Sequence, residues 1–185
     1  KPHGVMDLRG IICKSSNIGM GLIGERMGNA ALHDTLQRFG FGERSGIECP
    51  GENSGVVFPL RRWNSFSTTS IPMGYEILVT PVQLVSAFAA IVNDGLQVRP
   101  RVMKERLAAD GTVLDETATQ EPVRRAVSRQ VARYVAQELL TAVVEEGGGS
   151  AAKAGPYRVL GKTGTAKLAY TDRSGLRASP CESGT

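Results

Sequence analysis

Six consecutive residues, Gly161-Lys162-Thr163-Gly164-Thr165-Ala166, constrain this chain more tightly than any other stretch. They follow Tyr157-Arg158-Val159-Leu160, where large apolar and polar side chains alternate as they do along a half-buried strand. A lysine, two hydroxyls and two glycines then crowd together. Glycine inside a strand pattern marks a place where a ligand or another backbone comes close. On a strand, Lys162 and Gly164 share one face, and Thr163 and Thr165 the other. Two readings fit these residues: an anion cradle, or an ordinary strand end with a surface lysine. Only a second matching motif can choose between them.

The chain has 185 residues, which suits one domain with its own hydrophobic core. Its 41% hydrophobic and 22% charged residues are ordinary for a globular protein. The formal charge of +4 is scattered along the chain. The one basic cluster, Arg99, Arg101, Lys104 and Arg106, has no interleaved aromatic residues. It reads as a solvated face, and nucleic acid is not an expected partner. The cysteines, Cys13, Cys49 and Cys181, are odd in number and lack metal-ligand or redox spacing. His3 and His33 join no cysteine in a ligand pattern, so neither a metal nor a cofactor is expected. The chain opens Lys1-Pro2-His3-Gly4, without an initiator methionine or a signal peptide, which suggests a piece of a longer protein. The longest apolar stretch, Ile77 to Val92, is interrupted by Thr80, Pro81, Gln83 and Ser86, too polar for a bilayer span.

Helical spacing recurs along the chain. Met6, Leu8, Ile11 and Ile12 predict a first helix, and Ile18, Met20, Leu22, Ile23 and Met27 a second, ended by Gly28. Asn29 is the expected cap of a third, which turns Leu32, Leu36 and Phe39 inward and stops at Gly40. Ser15-Ser16-Asn17 then falls in a tight connection between helices. There it either caps a helix or points side chains into a cleft. Val56-Val57-Phe58 predicts a short strand, and Trp63 a packing anchor. Thr80-Pro81 starts a helix that Asn93-Asp94-Gly95 stops, with Val82, Val85, Phe88, Ala89 and Val92 as its apolar stripe. Asp110-Gly111 signals a hairpin after a run that Pro100 confines to an edge strand. The longest helix is predicted over Ser128 to Glu146, with Val131, Val135, Leu139, Ala142 and Val143 inward. Gly147-Gly148-Gly149 reads as a flexible link after it. Beyond Lys162, Tyr170 to Gly175 reads as a hairpin turn.

Taken together, two motifs resemble the penicillin-recognising serine transpeptidases: Ser15-Ser16-Asn17 is similar to their S-x-N element and Lys162-Thr163-Gly164 to their K-T-G element. Five ordered segments carry the likeness. Lys14 to Gly19 is similar to K-S-S-N-V-G, and Phe39-Gly40-Phe41-Gly42 with Ser45-Gly46-Ile47 and Pro50-Gly51-Glu52 to F-G-F-G, T-G-I and P-G-E. Met73-Gly74-Tyr75 with Val79-Thr80-Pro81, Gln83 and Leu84 is similar to G-Y-G and V-T-P-x-Q-L, and Asn93-Asp94-Gly95 with Arg99-Pro100 to the end of that helix and its exit. The closest likeness is to the class B, monofunctional penicillin-binding proteins.

The resemblance implies an α+β fold of the serine β-lactamase-like type, incomplete here, with residues 1–185 as a partial transpeptidase domain. A helical part carries Ser15, an antiparallel sheet carries Lys162, and a cleft lies between. It implies acyl transfer on peptidoglycan stem peptides, with β-lactams acylating the same serine. By motif, Ser15 relays protons, Asn17 bonds the substrate amide and Lys162 supplies positive potential. Thr163 and Thr165, around Gly164, hold the substrate carboxylate, and the Thr165 N–H is half of an oxyanion hole. The parent is expected to be membrane-anchored, on the outer face of the bacterial cytoplasmic membrane, in a cell-wall synthesis complex. Three departures stand out. The family's nucleophile lies in an S-x-x-K upstream of S-x-N, and the residues before Ser15 hold none. Ser150-Ala151-Ala152-Lys153 spells that motif in the wrong order, a coincidence in a loop. Glu76 stands where relatives have glycine, and Pro180 to Thr185 does not continue the strand that Arg177-Ala178 begins, as a truncation or frame slip would produce. A non-catalytic binding or scaffold domain is the alternative, and a β-lactamase or sensor a more distant one.

Overall fold

The computed structural model describes residues 4–116, 122–164, 169–172 and 175–178, the last few of the first segment and the last two segments as backbone. Helix α1 (Leu8–Cys13) starts where the Asp7 carboxylate accepts the Gly10 N–H at 2.8 Å. A tight turn leads into α2 (Asn17–Arg38), which Ser16 caps and which breaks at Gly28, with φ 77 and ψ 162. The expected boundary at Gly28 therefore stands. Asn29 does not cap the second half of α2: its amide donates to the Asn64 carbonyl at 2.9 Å, and its Oδ1 is buried without a partner.

The buried residues of α2 are Gly19, Gly21 and Gly24, while Ile18 and Leu22 stand exposed. This inverts the ordinary amphipathic pattern, and close approach explains it. A Cβ on Gly24 would overlap the Thr68 carbonyl, and one on Gly21 would lie 3.3 Å from Met73. The bare glycines let α2 lie directly on α3 (Ser67–Ser70) and on the 3₁₀ turn Ile71–Met73. Trp63 anchors as expected, edge-on to His33 at 5.2 Å and donating Nε1–H to the Phe58 carbonyl. Val56 makes a single bridge to Leu78, so the predicted strand at 56–58 reduces to that one pair.

Helix α4 (Pro81–Val92) has the full capping box: Thr80 Oγ1 accepts from Gln83 N, and Gln83 Oε1 accepts from Thr80 N. Its buried face is Gln83, Ser86, Ala87 and Ala90; of the predicted stripe Val82, Phe88 and Ala89 are half-buried, while Val85, 69% exposed, and Val92 face outward. Gln83 turns inward because its amide has partners there, donating to the Glu43 carbonyl at 2.8 Å and the Ser54 carbonyl at 2.7 Å. It pins the loop-rich 40–55 segment to the helix.

After α4, Asp94 and Gly95 both take left-handed backbone, and β1 (Leu96–Val98) comes next. Strands β2 (Glu105–Leu107) and β3 (Val113–Glu116) form the hairpin expected around Asp110-Gly111. Strand β4 (Pro122–Arg125), which local signals did not suggest, pairs antiparallel with β1. A continuous helical run then extends from α5 (Arg129–Tyr134) through a π-type segment, Val135–Leu140, into α6 (Thr141–Glu145). Thr141 Oγ1 donates to the Ala136 carbonyl five residues back at 2.9 Å, in keeping with the widened turn. Val143, Val144, Ala142 and Leu139 from this run form the main core with Ala87, Ala90 and Ala126. Val131, expected inward, is 48% exposed.

The glycine run after α6 is a packed turn rather than a loose link. Gly147 N donates to the Ala142 carbonyl at 3.1 Å and Gly149 N to the Val143 carbonyl at 3.0 Å. Strands β5 (Ala169–Asp172) and β6 (Gly175–Ala178) form the hairpin anticipated there, with Arg173 and Ser174 outside the described residues. Cys13 and Cys49 are free thiols, and Cys181 lies outside the described residues. Among the described residues, no helix is long and apolar enough to cross a membrane.

Candidate active site

Helix α1 ends in a reciprocal hydrogen-bonded turn. Ser16 N donates to the Ile11 carbonyl at 3.0 Å and Ser15 N to the Ile12 carbonyl at 3.2 Å, with Ser15 left-handed at φ 52. This is the Schellman arrangement, and its left-handed position is usually glycine. Ser16 then returns to extended backbone and accepts the Gly19 N–H at 3.1 Å as the N-cap of α2. Of the two sequence readings of this segment, the capping one applies to Ser16. Ser16 caps, and Ser15 is left with its hydroxyl turned outward. Asn17 opens α2 with its side chain exposed.

Lys162 comes from the other end of the chain. Gly161 N donates to the Leu140 carbonyl at 3.3 Å, tying this segment to the π-type turn. The Lys162 ammonium donates to Ser15 Oγ at 2.8 Å and to the Thr163 carbonyl at 2.7 Å. Partial burial pushes the Lys162 ammonium below the ordinary lysine value. Residues 158–164 belong to no ladder among the described residues, which corrects the expectation of a sheet carrying Lys162. Strand alternation therefore does not govern this segment. Thr163 and Gly164 are exposed, and a Cβ on Gly164 would meet nothing within 4 Å, so the backbone there is open to a ligand. Thr165 lies outside the described residues.

The misplaced S-x-x-K lies on a 3₁₀ turn, Ser150–Ala152, and Lys153 pairs with Glu145 at 3.0 Å. That lysine is occupied by a carboxylate rather than set against a hydroxyl. Glu76 sits away from these motifs in left-handed backbone at φ 61. Its carboxylate accepts from Ser67 at 2.8 Å and from Ser70, both buried, which fixes a residue where glycine would be relaxed.

A family model described as the penicillin binding protein transpeptidase domain matches residues 1–179. The chain belongs to this family. The transpeptidase-domain chain is 37% identical over 174 residues to penicillin-binding protein PbpB of Mycobacterium tuberculosis, across 89% of itself and 25% of that protein. It is 32% identical over 169 residues to the peptidoglycan D,D-transpeptidase FtsI of Escherichia coli, across 90% of itself and 26% of that protein. Among solved structures it is similar to penicillin-binding protein 3 of Mycobacterium tuberculosis complexed with ampicillin. That match has a TM-score of 0.85 and 34% identity, and covers 96% of this chain and 40% of the other. The fold is thus the α+β transpeptidase fold, present in part. The chain spans about a quarter of the length of the curated relatives it matches.

Three residues of this transpeptidase domain bear on the motifs without a sequence signal. Arg9, on α1, forms a forked ion pair with Glu146, just past α6. Gly147 lies against the backbone of α1, and a Cβ there would come within 2.8 Å of the Cys13 carbonyl. Neither spacing nor residue type links positions so far apart, and only the packed helices bring them together.

Proposed function

We propose that these residues form the S-x-N and K-T-G walls of a serine D,D-transpeptidase site that cross-links peptidoglycan stem peptides. The observation that carries this reading is the 2.8 Å hydrogen bond from Lys162 Nζ to Ser15 Oγ. It joins a hydroxyl that can relay a proton to a cation that can hold negative charge. An adjacent base activates a serine nucleophile, and donors fixed where charge develops are usually the largest catalytic effect.

In this mechanism a serine from an S-x-x-K motif, outside these residues, attacks the carbonyl of the penultimate D-alanine. The serine loses its proton, an ester forms, the amide C–N bond breaks, and the terminal D-alanine leaves as an amine that has gained a proton. Ser15 relays that proton beside Lys162. Asn17 bonds the substrate amide, Thr163 and Thr165 hold its carboxylate, and the Thr165 N–H forms half of the oxyanion hole. Gly164 leaves the backbone clear for the approach. The amine of a second stem then attacks the ester, forms the cross-link and returns the serine. β-Lactams acylate the same serine, a reading supported by one relative solved in complexes with ampicillin and with aztreonam. Residues 1–185 are part of the transpeptidase domain of a membrane-anchored protein that acts on the outer face of the cytoplasmic membrane, in a cell-wall synthesis complex.

Fluorescent penicillin tests this directly. The full-length protein is expected to take a covalent label that ampicillin prevents, and the 185 residues alone are expected to take none. An unlabelled full-length protein would overturn the reading in favour of a non-catalytic binding domain. Label on the 185 residues alone would overturn the placement of the nucleophile.

A further inference from the structure

We infer that the Arg9–Glu146 ion pair is a positioning clasp for the Ser15–Lys162 contact, an inference that rests on the transpeptidase reading of that site. The two motif residues are joined by a closed ring of links. Ser15 sits on the turn that ends α1, and α1 is fixed to the end of α6 by Arg9, whose two terminal nitrogens reach the two carboxylate oxygens of Glu146. Beside this fork the Cys13 carbonyl lies so close to Gly147 that a Cβ there would sit 2.8 Å from it. The same helical run holds Gly161 through the Leu140 carbonyl at 3.3 Å, and Lys162 closes the ring on Ser15 at 2.8 Å.

The exposure of the pair separates positioning from stability. Its side chains are 41% and 56% exposed, and ion pairs that wet contribute little to folding. A two-pronged guanidinium–carboxylate fork, by contrast, fixes orientation as well as distance. The fork spans 137 positions and holds the helix that leads into the Ser15 turn, which is six residues long and has no fully buried residue. So short a helix, with no fully buried residue, relies on the fork as well as on its packing against the π-type segment and α6 to set its angle. Without the fork, α1 shifts on the surface it shares with the π-type segment and α6, and Ser15 moves relative to Lys162.

The test uses the full-length protein and three variants: Arg9→Gln, Glu146→Gln and the charge-swapped pair R9E/E146R. Arg38→Gln, which breaks the Asp34–Arg38 pair on α2, is the control. Each single clasp variant is expected to slow acylation by a fluorescent penicillin about ten-fold or more while the noncovalent affinity changes by less than about two-fold, because small misplacements of a catalytic group cost rate more than binding. The charge swap is expected to recover most of the lost rate, and the control to lose none. Amine footprinting with acetic anhydride, read at Lys162 against Lys104, gives a second measure, expected to rise several-fold in the single variants. Unchanged acylation in a folded single variant overturns the clasp, as does a loss of rate matched by an equal loss of affinity. If the wild-type protein is not acylated at all, the transpeptidase reading fails on its own, and the footprint decides the clasp: raised Lys162 reactivity supports it, unchanged reactivity overturns it.

Discussion

Lys162 and Ser15 lie 147 positions apart in the chain, and the lysine's ammonium donates to the serine's hydroxyl across 2.8 Å. Each is held by its backbone. Ser15 is fixed by the left-handed turn that ends α1, and Lys162 lies next to Gly161, whose N–H donates to the Leu140 carbonyl of the π-type segment. The contact is thus a property of how three helical pieces meet.

Replacing Lys162 tests its role as a cation. In the full-length protein, Lys162→Ala is expected to slow penicillin acylation by about 10² or more, the usual loss when a fixed electrostatic group is removed. Burial lowers the Lys162 pKa, so this lysine loses its charge at a lower pH than an exposed one. Acylation should therefore fall as pH rises, with an alkaline limb below about 10.4, the ordinary lysine value. Lys162→Arg should shift that limb upward. A pH profile of the acylation rate checks both, and an unshifted limb in the arginine variant would assign the ionisation to another group.

Ser15 occupies a backbone position suited to glycine. Its hydroxyl is kept there against a left-handed strain on the order of 1 kcal/mol. Ser15→Gly and Ser15→Ala both remove the hydroxyl, but only the glycine relieves the strain. The glycine variant is expected to be more stable than the alanine variant by about 1 kcal/mol, roughly 2–4 °C in thermal midpoint for a chain of this size. Both should lose acylation equally. Equal midpoints would mean the turn relaxes without glycine.

Gly24 and Gly28 differ in what surrounds them. A Cβ at Gly24 strikes the Thr68 carbonyl, whereas at Gly28 it meets nothing and only the φ of 77 opposes it. Gly24→Ala is expected to cost at least about 3 kcal/mol, the upper part of the usual overpacking range, because rigid backbone must give way. Gly28→Ala should cost about 1–3 kcal/mol from strain alone, because its extended backbone at positive φ is one that only glycine ordinarily adopts. Urea midpoints rank the two, and the reverse order would refute the glycine-mediated seating of α2 on α3.

How much of this was legible in the chain depended on how far apart the deciding atoms lie. Thr80-Pro81, Asp110-Gly111, Ser128 and the break at Gly28 act through bonds a few residues away, and each element they announce is present. Burial was harder to read. Val85 faces outward and Gln83 inward because the carbonyls of Glu43 and Ser54 wait for the amide, and those carbonyls arrive from another segment. The pairing of β4 with β1 and the packed glycine turn at Gly147 to Gly149 were hidden for the same reason. Among the described residues no strand forms around Lys162, since alternation over a few residues specifies a strand only when a partner strand lies alongside.

The motifs themselves, Ser15-Ser16-Asn17 and Lys162-Thr163-Gly164, were visible as residue types in order, and so was the family they mark. Their chemistry is local: a hydroxyl, an amide and an ammonium are what they are in any fold. Folding decided which of the two serines caps a helix and which meets the lysine, and it placed Arg9 against Glu146 to hold them there. The cap is a bond three residues long, but the meeting of Ser15 with Lys162 and of Arg9 with Glu146 joins residues more than a hundred positions apart, which happens only when α1 and the long helical run pack together.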